Sequence, residues 1–207
     1  MMPDNRLQRT ALLIDFDGVL RQWPYLADWP CEIAESEIRS VAFTPALLRQ
    51  VVLGEIQDED WRGVIVSRLA PSHGQSESQR AVELWSRSAG VLVPDVLGLL
   101  ARLPANYRVV LATNATSRLP VDIQSLGLSH RFHAIANSSR LGVAKPDPAF
   151  FQAALQLAAV APKDALFIDD TLENVSSAER LGITSHHYRS PSLMAAFLEQ
   201  HNALVRA

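Results

Sequence analysis

The chain has 207 residues, of which 48% are hydrophobic and 20% are charged, and its formal net charge is −3. These values are typical of a folded globule with one large domain, or with one domain that carries a smaller insert, and they argue against intrinsic disorder. The sequence has no basic block of the kind that binds a phosphate backbone, which argues against a nucleic-acid partner.

The sequence predicts a cytoplasmic protein without a membrane partner. The first ten residues contain no apolar segment like that of a signal peptide, and no apolar run approaches the length of a membrane-spanning helix. The single cysteine, Cys31, excludes an internal disulfide and fits a reducing compartment.

The first predicted element is a buried strand that ends in acids. The uncharged run Ala11–Ile14 is followed by Asp15, by Asp17 and then by Gly18. A continuous apolar run predicts a central strand of a parallel sheet, whose carboxyl end is where open α/β sheets bind ligands. In an extended chain the two acids would point the same way and repel unless a proton or a cation such as Mg²⁺ lay between them. Taken alone, these residues fit a solvated turn at least as well.

Residues 21–90 are predicted to form a helical insert without a strand. Its helices are predicted to have Thr44, Asp58 and Ser76 as N-caps, with Pro45 in the first turn after Thr44 and Gln79 completing a capping box with Ser76, and the last helix is predicted to end at Gly90. Residues 21–40 are not assigned to a helix or a strand. The predicted domains are therefore a core of residues 1–20 and 91–207 and an insert of residues 21–90.

From Val91 onward, predicted helices and strands alternate. The strands are residues 107–113, 132–137, 164–170 and 184–188, and the helices are residues 93–103, one ending at Gly127, one starting at Asp147–Pro148, residues 172–181 and one starting at Ser190–Pro191. Such alternation predicts a doubly wound parallel α/β sheet with helices on both faces. The fold class is thus an α/β core with a small helical insert after the first strand.

Four strand ends or following loops of this predicted sheet carry polar groups. They are Asp15 with Asp17 in D-F-D-G-V-L, Thr113 with Asn114, Lys145 in G-V-A-K-P-D-P, and Asp169 with Asp170 in F-I-D-D-T-L-E-N. In this order they resemble the motifs of the haloacid dehalogenase superfamily of aspartate-nucleophile hydrolases. The resemblance covers nearly the whole chain outside the insert, which takes the place of the family's cap. A lone T-N or K-P is weak evidence, but the four motifs in register are specific.

The resemblance and the charges assign the same roles. A carboxylate can attack a phosphate dianion only if cations neutralise both, so Asp15 is the predicted nucleophile, forming an aspartyl-phosphate, with Mg²⁺ and Lys145 as the cations. Asp17 is predicted to protonate the leaving alcohol and then to activate water. The remaining predicted groups are Thr113 and the backbone of Asn114 as phosphate donors, and Asp15, the carbonyl of Asp17, Asp170 and, through water, Asp169 as metal ligands.

Some alternatives stay open at this stage. Either Asp169 or Asp170 could be the inner metal ligand, and Asn174 could orient Lys145 or the acids or simply lie on a helix surface. His186 and His187 are interpreted as structural residues. The candidates for reading the leaving group are Arg62, Arg68, His73, Arg80 and Trp85, each of which also fits a surface or core position of the insert.

The motif residues favour phosphate chemistry over the family's other reactions. The family's dehalogenases replace the acid at the position of Asp17, and its phosphonate hydrolases use a lysine of the insert, whereas this insert has no lysine. A non-catalytic binding or regulatory member would be expected to lose an acid or Lys145. The short insert and the segment S-S-R-L-G-V-A-K-P-D-P are similar to those of small sugar-phosphate phosphatases and of the phosphatase-like domain of epoxide hydrolases. A sugar phosphate is the predicted substrate, with a sugar phosphomutase as the alternative. Because the insert's arginines have acids nearby in sequence, neutral leaving groups are expected to be favoured over bisphosphates.

Overall fold

The computed structural model describes residues 10–24 and 29–205. The strands are β1 (Ala11–Ile14), β2 (Arg21–Gln22), β3 (Val91–Leu92), β4 (Arg108–Thr113), β5 (Ala134–Asn137), β6 (Ala165–Asp169) and β7 (Thr184–His187). The α-helices are α1 (Glu35–Ala42), α2 (Pro45–Val52), α3 (Asp58–His73), α4 (Gln75–Arg87), α5 (Pro94–Ala101), α6 (Leu119–Ser125), α7 (Ser138–Leu141), α8 (Pro148–Ala158), α9 (Leu172–Arg180) and α10 (Pro191–Gln200).

The main sheet has five parallel strands in the order β5-β4-β1-β6-β7. The central position of β1 follows from its composition, because only a strand covered on both faces is apolar throughout. Ile14 lies between Leu111 of β4 and Ile168 of β6. The carboxyl ends of β1, β4 and β6 therefore meet at one edge of the sheet.

Helices cover both faces of this sheet, which confirms the predicted doubly wound fold. Leu12 and Ile14 of β1 pack into a cluster with residues of α5, α6 and α10, whereas Ala11 and Leu13 pack on the opposite face against α8 and α9. Burial of each large side chain of this kind contributes roughly 1.5–3 kcal/mol. Because successive side chains of β1 point to opposite faces of the sheet, this one strand contributes to both hydrophobic clusters.

Helices α1 to α4, which we call the cap helices, pack around a third cluster of apolar residues. Its buried members include Ile38, Leu47, Trp61, Ile65 and Val82. The chain enters this region through β2 and leaves it through β3, and these two short strands pair antiparallel, with Arg21 opposite Leu92. The division into a core and a cap at residues 20/21 and 90/91 stays a prediction.

The sequence missed the two short strands β2 and β3 and misplaced two helix starts. The strand β2 lies in the segment predicted to have none, because two residues are too short to show alternation. Helix α3 begins at Asp58 itself, with Gln57 as N-cap. The predicted capping box of Ser76 is wrong, since α3 continues to His73 and α4 begins at Gln75, after a single glycine.

Two other predicted helix starts are correct in detail. Asp147 accepts a hydrogen bond from the backbone N–H of Ala149 at 2.8 Å, and Ser190 accepts one from Leu193 at 3.3 Å. Proline occupies the first turn of both helices, where no N–H is needed. In the described parts of the chain, no helix is both long and apolar enough to cross a membrane.

Candidate active site

The candidate site lies at the carboxyl ends of β1, β4 and β6. Asp15 directly follows β1, and its backbone N–H donates to the carbonyl of Ile168 at 2.9 Å. Thr113 is the last residue of β4, and Asp169 is the last residue of β6. All three side chains are buried. Sheet register alone therefore brings together residues that are far apart in sequence.

A buried lysine joins two of these acids. The Nζ atom of Lys145 lies 2.7 Å from Oδ1 of Asp15 and 2.6 Å from Oδ2 of Asp169. The side chain of Asn174 donates to both oxygens of Asp169, at 3.0 and 3.2 Å, and the N–H of Thr171 donates to Oδ1 at 2.8 Å. Asn174 thus orients an acid, which is one of the alternatives that the sequence left open.

The loop that carries Lys145 is held by a side chain at the end of β4. Asn114 donates from Nδ2 to the carbonyl of Lys145 at 2.8 Å and accepts from its N–H at 2.8 Å. A pair of hydrogen bonds to the N–H and the carbonyl of one residue fixes both the position and the orientation of the loop. The amide of Asn114 therefore places Lys145, in addition to the backbone role that the sequence predicted.

Burial and charge act against each other in this cluster. Burial raises the pKa of Asp15 to about 7, against the lowering effect of the Lys145 ammonium, and the charge of Asp169 raises it further. For Lys145, burial alone would lower the pKa, but the charges of Asp15 and Asp169 outweigh it and the pKa is raised. The lysine is accordingly charged, and its single positive charge does not neutralise all the acids around it.

Three acids are placed to share a metal ion. Ligand oxygens of Asp15, Asp169 and Asp170 lie within 4.8 Å of one another. Burial, and then the charge of Asp169, also raise the pKa of Asp170. Three carboxylates beside one ammonium leave an excess of negative charge, and oxygen ligands of this kind are those that Mg²⁺ prefers. The donor set thus fits a hard divalent cation.

Gly18 provides the space in which Asp170 lies. Its φ is +83°, and a Cβ atom at this position would lie 2.0 Å from Oδ2 of Asp170. Glycine is therefore required here both for the left-handed backbone and for the close approach of the carboxylate.

Thr113 presents an unused hydroxyl to the site. Its side chain is buried, and Oγ1 has no hydrogen-bond partner among the residues that the structure describes. A buried hydroxyl without a partner costs about 1–3 kcal/mol. A bound oxyanion at the end of β4 would remove this cost, so the predicted phosphate-binding role of Thr113 fits its surroundings.

Asp17 does not join the other acids. Its carboxylate accepts hydrogen bonds from Nε of Arg21 at 2.7 Å, from Nη2 of Arg21 at 3.0 Å and from the indole N–H of Trp23 at 2.8 Å. The extended-chain expectation that Asp15 and Asp17 face a common cation is wrong, because the chain leaves the strand at Asp15 and turns at Gly18. Only the backbone of Asp17 remains as a candidate metal ligand.

Arg21 is a functional candidate that the sequence interpretation missed. It is buried, and Nη1 donates to Asp122 at 2.8 Å and to the carbonyl of Ala89 at 3.2 Å. Arg118 contacts the same Asp122 at 2.9 Å and donates to the carbonyl of Ser86 at the end of α4. This network ties Asp17 to both ends of the cap. The four-residue spacing of Asp17 and Arg21 was the available signal.

One cavity lies at the strand ends and is lined by Asp15, Thr113 and Lys145. A second cavity, of about 230 Å³, lies between the cap helices and the core. Two of the five predicted readers, Arg62 and Trp85, line it, together with Phe43 and Trp61, which the sequence did not single out. The other three are not among its lining residues. Their nearest polar partners are Thr44 for Arg68 at 3.1 Å, Glu37 for His73 at 2.8 Å and the carbonyl of Pro30 for Arg80 at 3.5 Å.

The two histidines of β7 lie beside the site and not in it. His186 stacks on Phe197, with ring centroids 4.8 Å apart. The Nε2 atom of His187 lies 2.9 Å from the backbone carbonyl of Asp170. The structural interpretation fits His186, whereas His187 contacts the backbone of a candidate metal ligand.

Comparison with known proteins identifies a protein family whose model matches most of this chain. The profile of the haloacid dehalogenase-like hydrolases matches residues 10–182. Over 206 residues the chain is 32% identical to acyl-CoA dehydrogenase family member 10 of Mus musculus, covering 91% of this chain and 19% of that protein. It is 28% identical over 118 residues to phosphoglycolate phosphatase 1 of Pseudomonas aeruginosa, covering 53% and 43%.

Similarity extends to a mutase and to a solved structure. Beta-phosphoglucomutase of Bacillus subtilis is 30% identical over 93 residues, covering 44% of this chain and 41% of that protein. The chain spans less than half the length of each of these curated relatives. A haloacid dehalogenase family enzyme of Bacteroides thetaiotaomicron, crystallised with magnesium and inorganic phosphate, has a TM-score of 0.68 at 22% identity, covering 87% of this chain and 94% of that one. At this identity the likeness shows the fold.

Proposed function

The chain belongs to the haloacid dehalogenase-like hydrolase family, and we propose that it is a Mg²⁺-dependent phosphomonoesterase that forms an aspartyl-phosphate on Asp15. The observation that carries the proposal is the strand-end cluster. A buried carboxylate, a lysine 2.7 Å from it and an unpartnered threonine hydroxyl lie together at one edge of the sheet. The similarity to a phosphatase and a phosphomutase supports the same class of reaction.

In the first half-reaction, a carboxylate oxygen of Asp15 attacks phosphorus and the bond from phosphorus to the ester oxygen breaks. The ammonium of Lys145 and the hydroxyl of Thr113 are placed to neutralise and hydrogen-bond the phosphoryl oxygens. Asp169 and Asn114 keep the ammonium in position. The chain's own groups thus supply the nucleophile and one of the two positive charges.

Asp15, the carbonyl of Asp17 and Asp170 are the groups that we propose to hold Mg²⁺. The bound ion supplies the second positive charge, which lowers the repulsion between a carboxylate and a phosphate dianion. Asp169 suits an outer position better than Asp170, because its oxygens already accept from Lys145, Asn174 and Thr171.

Asp17 is the proposed acid and base. Its proton goes to the ester oxygen as the alcohol leaves, and it then takes a proton from the water that attacks phosphorus and releases phosphate from Asp15. To reach the ester oxygen, its carboxyl group has to leave Arg21 and Trp23, its present partners. An acid at this position is useful for an alcohol leaving group and unnecessary for a halide, which favours phosphate esters over haloacids.

The substrate class that we propose is a small phosphate monoester, with sugar phosphates as the sequence-based expectation. A sugar phosphomutase is the second candidate, supported by the similarity to beta-phosphoglucomutase. The two differ in the acceptor of the phosphoryl group, which is water in one case and a second sugar hydroxyl in the other. Incubation with an aldose 1-phosphate distinguishes them, because a mutase yields the 6-phosphate and a phosphatase yields free phosphate.

The direct test is release of phosphate from para-nitrophenyl phosphate by the purified chain. We expect activity with Mg²⁺, none after chelation, and inhibition by Ca²⁺, which accepts seven or eight oxygens and could bind both oxygens of Asp15. Full activity in excess chelator, or equal activity with Ca²⁺, would contradict the metal assignment. The absence of turnover under every metal condition would contradict the phosphatase assignment.

A further inference from the structure

We infer that the cavity between the cap helices and the core is a leaving-group pocket for an uncharged, ring-containing alcohol. The inference rests on the proposed phosphomonoesterase function and narrows its substrate class. It replaces the sequence-based preference for a polyol by one for an aromatic or other apolar ring.

The two cavities meet at the residue that is proposed to protonate the leaving group. Asp17 and Asn114 line both the cap–core cavity and the strand-end cavity that contains Asp15, Thr113 and Lys145. A phosphoryl group at Asp15 with its ester oxygen near Asp17 would therefore direct the alcohol toward the cap helices. Geometry alone makes the cap–core cavity the next space that a substrate occupies.

Aromatic rings dominate one wall of this cavity. Phe43, Trp61 and Trp85 contact one another with ring centroids 5.6–6.2 Å apart and interplanar angles of 54–75°. Trp61 is fixed by a hydrogen bond from its indole N–H to the carbonyl of Ala42 at 3.1 Å. Leu48 extends the apolar wall. Contact of a further ring with such a cluster contributes about 0.5–1.5 kcal/mol of binding free energy beyond the burial of the ring's area.

The charged residues of the cavity are already paired. Nε of Arg62 lies 2.8 Å from Asp58, and Nε of Arg118 lies 2.9 Å from Asp122. A second phosphate would have to compete with these carboxylates for their arginines. The pocket therefore suits a neutral leaving group, as the charge pattern of the sequence indicated.

One carboxylate oxygen of a residue that lines the pocket has neither a hydrogen-bond partner nor an ion-pair partner in the described parts of the chain. Oε2 of Glu35, at the start of α1, is buried and has no hydrogen-bond partner in the described parts of the chain. The other oxygen, Oε1, lies 3.8 Å from Nη1 of Arg39. A single hydroxyl on the ring would satisfy Oε2, whereas the several hydroxyls of a sugar would face apolar rings. The cavity volume of about 230 Å³ is below the ~300–1,000 Å³ of pockets for drug-sized ligands, so one substituted ring is the expected size.

Specificity constants for three primary-alcohol esters test the inference. The substrates are benzyl phosphate, ethyl phosphate and glucose 6-phosphate, whose leaving groups are all primary alcohols. We expect benzyl phosphate to exceed both others by at least tenfold, about 1.4 kcal/mol of transition-state binding. The substitution Trp85→Ala should remove most of this preference, measured as the ratio of the specificity constants for benzyl phosphate and ethyl phosphate. Trp29→Ala is the matched control, because Trp29 packs against the cap cluster without lining the cavity.

The outcomes separate the pocket from the proposed function. If all three esters are hydrolysed with equal or sugar-preferring constants, or if Trp29→Ala abolishes the preference as fully as Trp85→Ala, the pocket inference is overturned and the phosphatase assignment stands. Binding of each ester to the Asp15→Asn variant can be measured by tryptophan fluorescence, and this measurement needs no turnover. If no ester is hydrolysed but benzyl phosphate binds this variant at least tenfold more tightly than ethyl phosphate, the pocket stands and the phosphatase assignment fails.

The unpaired oxygen of Glu35 has its own test. We expect 3-hydroxybenzyl phosphate to have a higher specificity constant than benzyl phosphate with the unaltered chain and no advantage with Glu35→Leu. Equal constants with the unaltered chain would remove the hydroxyl from the inferred substrate class.

Discussion

The strand-end cavity and the cap–core cavity lie on either side of Asp17 and are built in opposite ways. In the first, polar and charged side chains come from the ends of β1, β4 and β6 and from the loop that carries Lys145, and the sheet register sets the spacing of the strand-end groups. In the second, aromatic rings come from α1, α3, α4 and their connections, and helix packing sets their spacing. Every substrate would place its phosphoryl group in the first cavity, while only the leaving group would occupy the second. Reaction and selectivity are thus carried by separate parts of the molecule, which substitutions should separate.

The largest effect is expected from Asp15→Asn. The amide keeps the shape of the side chain but cannot act as the anionic nucleophile, so turnover of all esters should fall by about 10⁴-fold or more. Stopped assays with phenyl and alkyl phosphates measure the loss, and thermal unfolding checks that the fold is kept. The control is Asp60→Asn on the exposed face of α3, which should retain full activity. A residual rate above about a tenth of the original would refute the nucleophile assignment.

Lys145→Met should affect stability as well as turnover. Removing the ammonium leaves Asp15 and Asp169 buried without their cation, which typically costs about 3–5 kcal/mol. Lys163→Met is a matched control on the other lysine of the chain, which is exposed and 3.1 Å from Asp164, and it should change stability by less than about 0.5 kcal/mol. Urea unfolding of both variants measures the difference. Equal stability of the two variants would contradict the account of the buried cluster.

Arg21→Met should act at the boundary of the two cavities. Although the carboxyl group of Asp17 has to leave Arg21 in the reaction, Arg21 also anchors the segment that carries Asp17 to Asp122 and to the carbonyl of Ala89. Its loss should therefore misplace the acid and lower the specificity constant for benzyl phosphate by about a hundredfold, within the ~10²–10⁴ attributed to general acid catalysis. Para-nitrophenolate leaves without a proton, so the specificity constant for para-nitrophenyl phosphate, which reports on the first half-reaction and not on hydrolysis of the aspartyl-phosphate, should fall by only about threefold. A merely structural role would lower both rates by the same factor. Asp17→Asn should reproduce the same dependence on the leaving group.

The smallest effect is expected from Arg68→Ala. Arg68 donates to the hydroxyl of Thr44 on an exposed part of the cap and does not line the cavity. Specificity constants for benzyl phosphate and glucose 6-phosphate should change by less than about twofold, since surface changes of this kind are worth within about 0.5 kcal/mol. A larger, substrate-dependent change would mean that the cap reads leaving groups beyond the cap–core cavity.

The groups at the strand ends were predictable because a strand leaves a local signal. Each apolar run that stops at a polar residue marks one end of the sheet, and parallel strands align those ends. The side-chain role of Asn114 was not visible, since Lys145 lies in a loop whose path only the fold reveals. Arg21 had a signal in its spacing from Asp17, but the same spacing is common on solvated helices.

The cap–core cavity was not predictable beyond two of its residues. Phe43, Trp61 and Trp85 belong to segments separated by turns whose geometry the sequence does not specify, and each ring fits a cap core equally well. The error at Ser76 shows the same difficulty, because the length of α3 decides where the next helix can start. Local patterns therefore predicted which groups meet at the strand ends, and packing between helices determined the rest.

The pairing of β2 with β3 also bears on how the chain reaches this fold. Ala11 of β1 pairs with Arg108 of β4, so the central sheet closes only after a long intervening segment has been brought together at its ends. Closing a long flexible loop costs conformational entropy, and a segment whose two ends already lie side by side has met part of that cost. Contacts within the cap helices are between neighbours in sequence, which form faster than the pairing of distant strands. In pulse-labelling hydrogen exchange, α3 and α4 are therefore expected to become protected before β1 and β4, with the active site as the last part of the molecule to be assembled.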